Sequence, residues 1–248
     1  MKIKVVSFNI RCRDDDKEHS IKQRALRLKT LLDIQNADVI GLQECTPVWL
    51  EAIQKDYADT YEIFNVWRGV SDESTPILLK RAMFEVVDKG CFWLSDTPHI
   101  PSNGWDTIGC NRTLLWAELK EVSTGKKLLF LNTHFGFGDE GQKKSVALIR
   151  SFAEKYNDLP MVLTGDFNME QISPAYKKIT EYFLDANVST INNKSVTFHG
   201  YFLPDNKPKL IDYIFVKNCI PKTYTILNET FDGKYPSDHF GIQSTIEI

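Results

Sequence analysis

The chain has 248 residues, 42% of them hydrophobic and 25% charged, which is enough to bury a sizeable core without disulfides. Its formal net charge of −3 argues against a surface that grips duplex DNA regardless of sequence. The five cysteines (Cys12, Cys45, Cys91, Cys110 and Cys219) are odd in number and lie at neither metal-clip nor redox-pair spacing, so they read as reduced core thiols.

The first element is a β-branched strand, Ile3 to Ile10, followed by a charged loop from Arg11 to His19. The apolar run after Met1-Lys2-Ile3-Lys4 is too short for an export signal, and no stretch is long enough to span a bilayer. These readings predict a cytoplasmic protein with no membrane contact. Ser20-x-x-Gln23 reads as a capping box for a helix whose apolar face carries Ile21, Ala25, Leu28 and Leu32. Ala37 to Leu42 is a buried strand ending at Gln43-Glu44, and a short helix runs from Pro47 to about Lys55.

The middle of the chain is a string of strands: Glu62 to Trp67, Ile77 to Lys80, Phe84 to Leu94, Leu114 to Glu121 and Lys127 to His134. A long helix follows over Asp139 to Tyr156, then a buried strand over Met161 to Gly165 and a helix over Ser173 to Phe183. Strands return at Ser195 to Phe198, Leu210 to Lys217, Thr223 to Leu227 and Phe240 to Ile248. Strands outnumber helices and no linker divides them. This predicts one domain over 1–248, built of mixed sheets with helices outside.

Polar clusters punctuate the apolar runs. Asn9, Gln43-Glu44, Asn132-Thr133-His134 and Thr164-Gly165-Asp166-Phe167-Asn168 follow strands, whereas Asp212 and Ser237-Asp238-His239 begin them. Antiparallel neighbours bring both kinds to the same sheet edge. A half-buried polar group without a partner costs about 1–3 kcal/mol, so a concentration of them implies mutual satisfaction, a metal or a substrate. Each cluster alone has an ordinary reading: Asn9 a turn residue, Glu44 a surface acid, His134 a core histidine, Asp166 and Asn168 an Asx turn, Asp212 an edge charge. Six in one order require six coincidences.

In that order the clusters resemble the motif set of the endonuclease/exonuclease/phosphatase superfamily, which includes deoxyribonuclease I and exonuclease III-type enzymes. Phe92-Trp93-Leu94-Ser95 before Thr97-Pro98, and Thr197-Phe198-His199-Gly200, resemble its small stand-alone bacterial members. The resemblance spans Asn9 to His239. It implies an α/β fold, a four-layer α/β/β/α sandwich of two mixed, mostly antiparallel sheets. It also implies a Mg²⁺- or Mn²⁺-dependent phosphoesterase, either a nuclease or a small-molecule phosphatase.

By position, the resemblance implies that Glu44 is the main metal ligand, with Asn9 and Asp238 near or on the ion. Asp166 activates the attacking water, Asn168 and His134 bind the scissile phosphate, and His239, oriented by Asp212, polarises the phosphoryl group or transfers a proton. Oxygen ligands without thiolate suit Mg²⁺ or Mn²⁺ better than zinc. Repair-type members carry an acid where this chain has Arg11. Arg11 is then either a phosphate contact or a loop cation.

Arg112 and His199 are further candidate substrate contacts, against salt-bridge and packing alternatives. Glu73 and Lys80 flank a loop that reads as solvated. Lys143, Lys144, Lys207 and Lys209 read as surface lysines, and Trp93, Trp105 and Trp116 as core. The expected partner is a phosphate ester, with nucleic acid included, bound by a monomer. The competing reading is a binding module that has kept the fold and lost turnover.

Overall fold

In the computed structural model, which describes residues 1–70, 72–193 and 195–248, the apolar runs pair into two six-stranded sheets. The first contains β1 (Lys2–Asn9), β2 (Val39–Gln43), β3 (Tyr61–Phe64), β4 (Ile77–Lys80), β11 (Ile220–Leu227) and β12 (Gly241–Glu247), in the order β11-β12-β1-β2-β4-β3. The second contains β5 (Phe84–Trp93), β6 (Thr113–Glu121), β7 (Lys127–His134), β8 (Met161–Asp166), β9 (Leu184–Asp185) and β10 (Asp212–Lys217), in the order β5-β6-β7-β8-β10-β9. Each sheet has one parallel pair, β1 with β2 and β7 with β8, and its other pairs are antiparallel.

A parallel pair needs a crossover. Helix α1 (Ile21–Gln35) makes the first and α3 (Asp139–Ala153) the second. With α2 (Pro47–Tyr57), α1 covers the outer face of the first sheet, where Leu28, Leu31, Trp49 and Ile53 pack on Val6, Phe8, Ile40 and Leu42. With α4 (Pro174–Thr180), α3 covers the second, where Val146, Ile149 and Ile179 pack on Leu129, Leu131, Leu163 and Phe215. The inner faces meet through Val5, Val39, Phe130, Val162, Ile214 and Ile242. This is the four-layer sandwich the resemblance implies.

The strand repeat of two sorts residues between these layers. On β1, Val6 and Phe8 face the helices, so Val5, Ser7 and Asn9 face the opposite sheet. The same parity puts Val39, Gly41 and Gln43 inward on β2, Phe130, Asn132 and His134 on β7, and Val162, Thr164 and Asp166 on β8. The inter-sheet layer therefore changes from aliphatic to polar toward one end. Since β10 runs against β8, pairing Asp212 with Asp166, it joins this gradient from its first residue.

Between the aliphatic core and the polar end lies a hydrogen-bonded floor. Gln43 Nε2 donates to Asn132 Oδ1 at 2.8 Å and to Ser7 Oγ at 3.2 Å. Thr164 Oγ1 donates to Asn132 Oδ1 at 2.9 Å, and Asn132 Nδ2 reaches Leu42 O at 2.8 Å. Gly41 lies under this network, where a Cβ would meet Thr164 Oγ1 at 2.5 Å and Asn132 Oδ1 at 2.6 Å. Gly41→Ala is therefore expected to destabilise the fold by about 1–3 kcal/mol, the usual range for overpacking, as read by urea unfolding. An unchanged unfolding midpoint would show that the floor yields.

Several sequence expectations need correction. Ser20 precedes α1 but its side chain makes no cap; Ile21 N donates instead to Asp14 Oδ1 at 2.6 Å. Ser195 to Phe198 forms no strand: Phe198 makes only isolated bridges to Lys209 and His239. The Ser173–Phe183 helix stops at Thr180, and the short β9 and α5 (Ala186–Thr190) were not anticipated. All five cysteines are free thiols. Among the described residues, no helix is long and apolar enough to cross a membrane.

Candidate active site

The polar ends of both sheets meet in one cleft of about 350 Å³, lined among others by Glu44, His134, Asp166, Asn168, Asp238 and His239. Asn9 sits at its base and ties the two sheets together, with Nδ2 donating to Glu44 Oε1 at 3.0 Å and to Asp166 Oδ2 at 2.9 Å. Glu44 Oε2 accepts from Cys12 N at 2.7 Å. Asp166 Oδ1 accepts from Asn168 N at 2.9 Å, and Asn168 Nδ2 lies 3.1 Å from His134 Nε2. His239 Nδ1 is 2.9 Å from Asp212 Oδ2, and its Nε2 is 3.8 Å from Asp166 Oδ2.

Glu44, Asn168 and Arg11 all have left-handed backbones, with φ of 60°, 48° and 63°. Non-glycine residues hold such angles at a cost, and these concentrate where side chains must be aimed off the ends of strands.

The electrostatics separate the roles of the acids. Burial opposes the charge on Glu44, but the Cys12 N–H, Asn9 and the charged His239 outweigh it and hold the carboxyl below the usual carboxylate range. Burial, reinforced by the neighbouring charge of Asp212, pushes Asp166 the other way, above the usual carboxylate range. Burial and the Arg112 charge keep the His134 imidazole neutral. Burial would also lower His239, but attraction to Asp212 and the hydrogen bond the imidazole donates to it, with Asp166 and Asp238 behind it, push it up to about 10.

This raised value has a stability consequence. The ordinary imidazole value is 6.5, so the contribution of charged His239 is complete below that pH and is lost as pH rises through about 10. In cation-free protein, the unfolding free energy in urea is expected to fall across that window, and His239→Gln to remove that part of the slope. Identical slopes would count against a protonated imidazole.

Arg68, Glu73, Arg112, Lys209, Ile108 and Phe198 are among the other residues of the cleft walls. Arg68 pairs with Glu73 at 3.0 Å and Arg112 with Asp106 at 2.7 Å. The solvated-loop reading of Glu73 is thus corrected; Lys209 is exposed, as expected, at the edge of the cleft, and Lys80 pairs with Asp38 away from it at 3.5 Å.

Two candidate substrate contacts lie elsewhere. Arg11 does not line the cleft. Its Nη1 is 2.5 Å from Asp238 Oδ2 and its Nε 2.5 Å from Asp15 Oδ2, so it braces Asp238 from behind. His199 is fully buried, stacked on Phe240 with ring centroids 4.2 Å apart, and accepts from Tyr201 N. It is a packing residue.

Sequence reasoning missed Arg24. Fully buried, it donates to the carbonyls of Ile10, Arg11, Arg13 and His19 and so shapes the loop that carries Arg11. The signal for it was its position three residues after Ile21 and four before Leu28, on the apolar face of α1.

The donor set suits a hard divalent cation. Glu44, Asp166, Asp212 and Asp238 supply carboxylate oxygens, and Asp212 Oδ1 is a buried acceptor with no partner. Ligand atoms of Asp166, Asp212 and His239 lie within 4.8 Å of one another, a geometrically possible site. His239 Nδ1 and Asp212 Oδ2 are, however, already committed to each other.

Two mixed sheets packed face to face, with helices outside and polar strand ends in a common cleft, form an α/β/β/α sandwich with its site at one edge. The sequence matches the Endonuclease/Exonuclease/phosphatase family over residues 6–239, and the chain belongs to that family. An endonuclease/exonuclease/phosphatase from Bacteroides vulgatus superposes with a TM-score of 0.91 at 29% identity, over 100% of this chain and 99% of that one. A mannosyl-6-phosphatase of Bacteroides thetaiotaomicron superposes at 0.90 and 26% identity, over 99% and 100%. TDP2 of D. rerio, complexed with a single-strand DNA product, superposes at 0.79 and 19% identity, over 100% and 99%, a likeness of fold.

Proposed function

We propose that the protein is a divalent-metal-dependent phosphomonoesterase acting on small phosphorylated molecules. The observation that carries this reading is one cleft of about 350 Å³ in which Arg68, Arg112, Lys209 and His239 face Glu44, Glu73, Asp166 and Asp238, a charge pattern with room for one phosphate beside a divalent cation. Such a cleft is in the size range of small-molecule sites, and its cations match a phosphate dianion. The structural likeness to a mannosyl-6-phosphatase supports a sugar phosphate as the substrate class. We take 1–248 as one domain, since both sheets supply the site.

In this reading Glu44 is the principal cation ligand, anionic and exposed to the cleft, with Asn9 and Asp238 beside it. Mg²⁺ or Mn²⁺ held by these residues would supply Lewis-acid stabilisation of the charge that builds on the phosphoryl group and the leaving alkoxide. Asp166, held by Asn9 and the Asn168 N–H, accepts a proton from the attacking water as its oxygen bonds to phosphorus and the ester P–O bond breaks. His239, kept charged by Asp212, donates to a phosphoryl oxygen through Nε2. His134, Asn168 and Arg112 contact the remaining phosphoryl oxygens.

The test is release of inorganic phosphate by purified protein from sugar phosphates and p-nitrophenyl phosphate, beside bis-p-nitrophenyl phosphate and oligonucleotides, with Mg²⁺ or EDTA. Metal-dependent turnover that favours the monoesters is expected. Preferential cleavage of diesters or oligonucleotides contradicts the monoester assignment. No turnover on any of them leaves a binding module.

A further inference from the structure

Arg112 is the most unusual of the cleft cations. It is 5% exposed, its Nε is committed to Asp106 Oδ2 at 2.7 Å, and its Nη1 is buried with no partner. It lines the cleft beside His134. A guanidinium N–H left unpaired in a buried position is costly unless a ligand completes it. One end of the group is thus fixed and the other left for an oxyanion.

What fixes it is Asp106, whose side chain is fully shielded from solvent. While Oδ2 holds Arg112, Oδ1 accepts from Ile108 N at 2.9 Å and Phe137 N at 3.3 Å. Thr107 N also donates to Phe137 O at 3.2 Å. The carboxylate sits against Gly136, where a Cβ would come within 2.6 Å of Asp106 Cβ. One carboxylate therefore fastens Arg112, the segment carrying Ile108 and the segment carrying Phe137, all three of which line the cleft.

We infer that Asp106 is a positioning residue that holds the Arg112 guanidinium with Nη1 presented to the phosphoryl group. This rests on the phosphoester reading above. The charge matters as well as the shape. In Asp106→Asn, the amide oxygen can still accept from Ile108 and Phe137, but its NH₂ then faces Arg112 Nε, donor against donor. The variant removes the anchor and leaves the backbone ties.

The test uses the full chain with Mg²⁺, p-nitrophenyl phosphate as substrate and inorganic phosphate as competitive inhibitor. Asp106→Asn is expected to raise KM and the phosphate inhibition constant together, by about 10- to 10²-fold, with little change in Tm. In an Arg112→Ala background the same substitution should add nothing further. If the two losses simply add, or Asp106→Asn binds phosphate like the wild type, the proposal is overturned. Should Asp106→Asn not fold, Arg112→Lys carries the test. A lysine keeps the charge but cannot bond Asp106 and reach the cleft at once, so wild-type phosphate affinity in that variant overturns the proposal. A wild-type protein that neither turns over phosphoesters nor binds phosphate defeats the earlier reading and this one with it. Turnover that survives Asp106→Asn unchanged defeats this one alone.

Discussion

Replacing His239 by alanine is expected to lower turnover of a phosphoester by about 10²–10⁴-fold while the protein stays folded. The imidazole is buried among Asp166, Asp212 and Asp238, and the Asp212 bond at 2.9 Å keeps it charged and fixes its orientation. Its positive charge therefore needs no rearrangement when charge builds on the phosphoryl oxygens. His239→Ala also leaves Asp166 beside Asp212 with less to offset their repulsion, which should push the Asp166 carboxyl further up and shift the rising limb of the pH–rate profile to higher pH. Steady-state kinetics across pH check both effects. Wild-type kcat in His239→Ala would remove the residue from the mechanism.

Glu44→Gln is expected to have a comparable effect through the cation. The substitution preserves size but removes the charge and turns into a donor one of two oxygens that accept from Asn9 Nδ2 and Cys12 N. Loss of an outer partner of a metal ligand typically costs about 10- to 100-fold in affinity, so loss of the main ligand's charge should cost more. Calorimetric titration with Mn²⁺ should show that weakening, and excess Mn²⁺ should restore part of the lost turnover. An unchanged Mn²⁺ affinity would move the ion away from Glu44, with Asp166, Asp212 and His239 the geometric alternative.

Legibility from sequence divided along the line between short-range and long-range determinants. Ile77–Lys80 and Lys127–His134 were readable to the residue, because a buried strand is a continuous apolar run and nothing else decides its ends. The site acids and histidines were readable because each follows or begins such a run. The floor beneath them was not. Gln43 and Asn132 stood in the quoted motifs, but no local pattern says that they bond to each other across two sheets.

The errors have physical causes too. Ser20 had the right spacing for a cap, but the Gln23 N–H its side chain would have bonded goes to its own carbonyl at 3.0 Å, and Asp14 accepts from Ile21 N. Arg11 had the charge of a substrate contact but meets Asp15 and Asp238 first. His199 shared a motif with the site yet packs against the rings of Phe240 and Phe202. Arg68 and Glu73 lie in a loop with no periodicity, tied to the cleft wall by long-range bonds such as those of Trp93 Nε1 and Asn111 Nδ2 to the Arg68 carbonyl, each at 2.9 Å.

The central claim is that polar ends of both sheets converge on one cation-binding pocket. Mn²⁺ titration of protein with ¹⁵N-labelled histidines tests it directly, because paramagnetic broadening falls steeply with distance. Saturable broadening of the His134 and His239 ring signals, with His99 unaffected and the effect abolished in Glu44→Gln, is the result the site geometry predicts. Broadening that never saturates, or that spares His134 and His239, would contradict it.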